Sequence, residues 1–150
     1  MNQFMERAVA LAVENVREGG QPFGAVLVKN DEAVAEGVNE LHKTHDVSGH
    51  AELLAIRRAQ KQFQTHDLSG FTMYASGEPC PMCLSAMYFA GIEEVFYCAS
   101  LEDAVEVGLG KSKTIYEDLQ KPKVKRTLHL KQMTLKEGQT NPMKLWNKNR

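Results

Sequence analysis

"FTMYASGEPCPMCLSAMYFAGIEEVFYCAS", residues Phe71–Ser100, decides the fold. Phe71–Ser76 is a short apolar run that predicts a strand. "PMCLSAMYFAG" predicts a helix, with Pro81 near its start and Gly91 just beyond its end. "EVFYCAS" (Glu94–Ser100) predicts the next strand. The same stretch holds Cys80 and Cys83, three residues apart at the helix start. They are a redox pair, half of a structural zinc site, or part of a centre that does chemistry.

Outward from this core, the alternation of strands and helices continues. Phe4, Ala8, Leu11, Ala12 and Val16 recur at helical spacing, and Gly19-Gly20 stops the pattern. Ala25–Asn30 and Ala33–Asn39 predict a hairpin that turns at Asp31-Glu32. Leu41–Gly49 is polar and predicts a loop. His50–Phe63 predicts a helix whose stripe includes Leu53, Leu54, Ile56, Ala59 and Phe63. Downstream, Leu101–Gly110 predicts a short helix with a glycine stop, and Lys123–Leu135 a last strand. Asn141-Pro142 reads as a cap followed by proline at the first position of a closing helix. This order implies an α/β mixed sheet with helices on both faces, in one domain of 150 residues.

Composition removes several classes of function. A net charge of −1 gives no field for holding long nucleic acid, so small or local ligands are favoured. Three cysteines are too few for a disulfide scaffold. No apolar run is long enough to span a membrane. The start "MNQFMERAVALAVENVREGG" carries Glu6, Glu14 and Glu18 and lacks the basic-then-apolar order of a leader. The expectation is a reducing, cytoplasmic protein whose cysteines hold a metal or act in catalysis.

His50 supplies the missing partner. Cys80 and Cys83 stand at i and i+3 on a helix start, so their sulfurs can point the same way, and the helix N-terminus favours thiolates. One imidazole and two sulfurs form a ligand set for Zn2+, and three protein ligands leave a fourth tetrahedral position open, the mark of a catalytic rather than structural zinc. Glu52, two residues from His50, is placed to move a proton between water and a substrate. His50-Ala51-Glu52 followed by Pro79-Cys80-Pro81-Met82-Cys83 matches the H-x-E and P-C-x-x-C halves of the zinc deaminase signature, in order and each opening a predicted helix.

On these motifs the chain resembles the cytidine deaminase-like superfamily, and within it the bacterial guanine deaminases. The likeness extends through "PFGAVLV" (Pro22–Val28), "EGVN" ending at Asn39, Val95–Pro122 and Trp146. The resemblance implies a three-layer α/β/α fold around a five-stranded sheet, paired as a homodimer. It implies zinc on His50, Cys80 and Cys83, with Glu52 as proton shuttle. It also implies that Asn39 hydrogen-bonds the base, that Phe23 packs on its ring, and that the Ala51 backbone and the Glu78–Cys80 turn line the pocket. The types agree: an amide both donates and accepts, and an aromatic face suits a planar ring.

Two features differ from that family. Lys111 stands where an acidic residue is expected soon after the glycine matching Gly108, and the chain stops four residues past Trp146. Lys111 is therefore expected to meet an acceptor-rich or anionic substrate group. The substrate expected first is a free, guanine-like base. The rivals are adenosine in tRNA, another aminopurine, a pterin or a triazine, and a zinc-stapled binding module without activity. Cys98 reads as buried filler, the basic run Lys121, Lys123, Lys125 and Arg126 as a solvated face, and "GKS" at Gly110–Ser112 lacks the spacing of a phosphate loop.

Overall fold

A computed structural model describes all 150 residues, Met1–Arg150. Helix α1 (Gln3–Arg17) is capped by Asn2, whose side chain accepts from the Met5 N–H at 2.9 Å, and it ends ahead of Gly19-Gly20 as its spacing predicts. Strands β1 (Gly24–Lys29) and β2 (Glu32–Val38) form the expected hairpin. Its turn sits one residue earlier than expected. Asn30 and Asp31 take the two positive-φ positions (50° and 61°) of a two-residue turn, which short Asx side chains tolerate.

Strand β3 (Thr72–Gly77) pairs antiparallel with β1 and parallel with β4 (Glu94–Ala99), in the order β2-β1-β3-β4. Parallel neighbours need a crossover, here helix α4 (Pro81–Ala90), which stops at Gly91 with φ 82°. Central β1 is buried on both faces, so its apolar run does not alternate with polar residues. Ala25 and Leu27 join the core on one face with helix α3 (Ala51–Phe63) and α4. Val26 and Val28 join Met5 and Ala8 of α1 on the other. The result is the three-layer α/β/α arrangement expected. Each fully buried Leu27, Leu68, Met73 or Met87 contributes about 1.5–3 kcal/mol.

Close approach of α3 to β2 sets the site's floor. The helix buries Ala51, Ala55, Ile56 and Ala59, and a Cβ at Gly37 would collide with the Ala51 carbonyl. Three short helices complete this part of the fold: α2 (Leu41–Thr44) inside the expected loop, α5 (Leu101–Glu106), shorter than predicted, and α6 (Lys111–Leu119), which no sequence signal announces.

The sheet has four strands, not five. Within Lys123–Leu135 only a 3-10 turn, Lys123–Lys125, is regular. Leu128 and Leu130 alternate like a strand, but alternation does not supply a ladder partner, and both side chains are exposed. Cys98 is likewise exposed on β4, not buried. Contacts divide the chain into two compact units, Met1–Glu117 and Asp118–Arg150. In the second, the Asp118 carboxylate accepts from the Thr127 N–H and hydroxyl, and the closing helix α7 (Pro142–Asn149) starts at Asn141 as expected. No helix is long and apolar enough to cross a membrane.

Candidate active site

His50 is the N-cap of α3 and Cys80 the N-cap of α4, so the two helix starts meet. The His50 ring makes no cap bond to its own helix. Its Nδ1 instead lies 3.4 Å from Cys80 Sγ and 3.6 Å from Cys83 Sγ, and the three ligand atoms all fall within 4.8 Å of one another. A tetrahedral zinc with a Zn–N distance of about 2.0–2.1 Å and Zn–S of about 2.3 Å sets nitrogen and sulfur about 3.5 Å apart. The donor set and its spacing therefore fit zinc. The Cys83 backbone N–H also donates to Cys80 Sγ at 3.4 Å.

The sulfurs divide one proton. The Cys83 thiol donates to Cys80, which holds Cys80 down to about 4, and the same sharing pushes Cys83 up. That upward push is the opposite of what a thiolate ligand needs. A dication bound to both sulfurs replaces the shared proton, which is the usual coupling of metal binding to deprotonation. The hydrogen bond with Cys80 raises His50 in turn.

Glu52 lies in the first turn of α3 and is 6 % exposed. Burial pushes its carboxyl up to about 7, and the Cys80 thiolate adds to the rise. A carboxyl that gains and loses a proton near neutrality suits proton transfer at working pH.

These groups floor a cavity of about 270 Å³, just below the roughly 300–1,000 Å³ range of ligand pockets. That space fits a free base better than a base with sugar and phosphates. Phe23 lines it, with its ring over Gly77. Asn39, 1 % exposed, presents a defined edge. The Leu41 backbone N–H donates to its side chain at 3.0 Å, so the atom there is Oδ1, and Nδ2 donates to Gln21 Oε1 at 3.3 Å. One Nδ2 hydrogen remains, so Asn39 offers the cavity a donor. Asn15 fixes this strand end by donating to the Asn39 carbonyl at 2.9 Å.

The structure thus brings His50, Glu52, Cys80, Asn39, Phe23 and Glu78 to one cavity, with Cys83 behind. Two expected residues are placed elsewhere. Ala51 is fully buried between His50 and Glu52 and is not part of the lining. Lys111 is exposed at the start of α6, while its neighbour Ser112 faces the cavity. Asp103, which sequence reasoning missed, also lines the cavity. Its signal is the capping box at α5, where Ser100 and Asp103 bond reciprocally at 2.8 and 3.1 Å, and the Ser100 bonds hold its carboxyl below the usual range. Tyr116 was also missed. Its hydroxyl donates to the Pro79 carbonyl at 2.6 Å, and burial pushes its phenol up to about 12.

Known proteins resemble this chain. The cytidine and deoxycytidylate deaminase zinc-binding region matches residues 1–99. The guanine deaminase of Bacillus subtilis is 44% identical over 144 residues, covering 95% of this chain and 91% of that one. The X-ray structure of guanine deaminase from Bacillus subtilis superposes with a TM-score of 0.90 at 43% identity, over 99% of this chain and 95% of that one. A tRNA-specific adenosine deaminase of Bacillus subtilis is 40% identical over 97 residues, covering 64% of this chain and 60% of that one.

Proposed function

The chain belongs to the cytidine and deoxycytidylate deaminase family of zinc proteins, and from that premise we propose that it hydrolyses the exocyclic amino group from a free nucleobase, guanine first. The observation that carries this is a buried Glu52 sharing one small cavity with His50, Cys80, Phe23 and Asn39. The likeness over 95% of the chain to a guanine deaminase supports guanine within that class. Asp103 supports it as well, because its carboxylate offers the lining an acceptor for ring or amino hydrogens although Lys111 points elsewhere.

The cofactor is zinc, which His50 Nδ1 and the sulfurs of Cys80 and Cys83 would hold. When bound, it supplies Lewis acidity that lets water react at neutral pH. The side chains do the rest. Phe23 packs on the ring, and Asn39 Nδ2 donates to an acceptor on its edge. Glu52 Oε takes a proton from water and delivers it to the ring nitrogen beside the amine-bearing carbon. As the carbon–oxygen bond forms and the carbon–nitrogen bond breaks, Glu52 carries water's second proton to the departing nitrogen. Ammonia leaves and a ring carbonyl remains.

The chain acts as one deaminase domain, in the cytoplasm, as a homodimer without nucleic-acid or membrane partners. Tyr88 (79 % exposed) and Phe89 (89 %), adjacent on α4, support a second copy covering the aromatic surface of that helix. Ammonia release from guanine, 2,6-diaminopurine, a pterin, an aminotriazine and an adenosine-bearing tRNA stem-loop tests the substrate. Guanine turns over fastest. Turnover confined to the stem-loop, and falling steeply with salt, contradicts the proposal.

A further inference from the structure

The cavity's outer wall is Leu101–Ser112, formed by α5, the turn after it and the start of α6. Neither helix contains a buried residue, and Leu101, Ala104 and Leu109 are only half-buried, so no fully buried side chain anchors this wall to the core. Three hydrogen bonds join its flanks to the dipeptide that precedes the zinc ligand Cys80. The Glu78 N–H donates to the Ala99 carbonyl at 2.7 Å, and the Leu101 N–H donates to Glu78 Oε1 at 3.1 Å. Both lie at the near end. At the far end, the Tyr116 hydroxyl donates to the Pro79 carbonyl at 2.6 Å, and it is the one hydrogen bond joining residues 102–117 to any residue before Ala99. The ion pair between Lys113 and Glu102, at 3.7 Å, joins α6 to α5 and reaches no residue of the core.

We infer that Tyr116 is a positioning residue that latches the substrate-facing wall Leu101–Ser112 onto the zinc turn through the Pro79 carbonyl. With both ends tied, the wall spans the cavity as a closed loop, and Val107, Leu109 and Ser112 are held against a bound base. With the far end free, the wall hinges at Ser100–Leu101. Binding then has to order it, and the ordering cost appears as weaker binding while the proton chemistry at Glu52 is untouched.

The inference rests on the deaminase reading for its kinetic test but not for its second measurement. Tyr116→Phe keeps the ring and removes only the hydroxyl. One neutral hydrogen bond corresponds to about 3–10-fold in an equilibrium constant. In the zinc-loaded protein, Tyr116→Phe raises KM for guanine about 3–10-fold, changes kcat less than twofold, and leaves zinc stoichiometry and melting temperature at wild-type values. Amide hydrogen exchange without substrate speeds up by a similar factor across Leu101–Ser112 and not in β1 or α3. If wild type releases no ammonia from guanine, the substrate reading fails while the exchange result still decides the latch. Wild-type exchange in Tyr116→Phe, with faster exchange only in Tyr116→Ala, reduces the residue to ring packing and overturns the inference. A fall in zinc content in Tyr116→Phe also overturns it.

Discussion

The two sides of the cavity are built from different materials. On the metal side, His50, Glu52, Cys80 and Cys83 stand on the caps and first turns of α3 and α4, over Leu27, Met73 and Met87, which are buried. On the outer side, Leu101–Ser112 contributes no buried residue and is tied down by hydrogen bonds. A ligand set must hold its spacing to tenths of an ångström, and a close-packed interior provides that stiffness. A wall that admits and releases a base has to yield, and bonds of about 1 kcal/mol each allow it. The proposed chemistry thereby sits on the stiff side, and the yielding wall closes over the base that Phe23 and Asn39 are proposed to hold.

Changes on the metal side are expected to abolish function, and changes on the outer side to adjust it. Cys83→Ser is the severest test. Removing a buried sulfur ligand takes zinc stoichiometry from one to near zero, together with all ammonia release, as read by atomic absorption and a coupled ammonia assay. A fully active, zinc-replete Cys83→Ser protein breaks the division at once. Glu52→Gln comes next: kcat falls about 10²–10⁴-fold with zinc retained, the range for a lost general acid–base group. Retained turnover moves the proton shuttle elsewhere.

The buried carboxyl also leaves a pH signature in the chelated, metal-free protein. Its folded pKa is raised from 4.5 to about 7, chiefly by burial. Its stabilising contribution is therefore fully present below about pH 4.5 and is lost as pH rises through about 7. Denaturant titrations at pH 4.5 and 8 should show wild type losing about 3 kcal/mol relative to Glu52→Gln across that interval. A constant gap between the two proteins shows that Glu52 is not desolvated. The smallest effect is expected at the outer wall: Lys111→Ala changes kcat and KM for guanine less than twofold, since its side chain is exposed outside the lining. A tenfold change in either constant brings Lys111 into the pocket and blurs the contrast sharply.

That contrast also explains what is legible in the sequence. The metal side depends on local signals: proline after Cys80, the three-residue cysteine spacing, and His50 at the mouth of an apolar-striped helix. Each works within one turn of its own backbone, so a reader of the chain can place it. The outer wall depends on how α6 is rotated about its axis. That rotation turns Ser112 inward and leaves Lys111 in solvent, and no residue spacing announces it. Asp103 was open to discovery through the Ser100–Asp103 capping box, whereas Tyr116 finds Pro79 across 37 residues of chain. The missing fifth strand belongs with the second group. Leu128 and Leu130 carry the alternation of a strand, but a ladder needs a neighbour that alternation does not specify.

X-ray absorption at the zinc edge of the loaded wild-type protein tests the whole account most directly. The zinc is expected to have two sulfur neighbours and one imidazole, those of Cys80, Cys83 and His50, and no fourth side-chain donor. Four side-chain donors around the ion, or a folded protein that takes up no zinc, would contradict it.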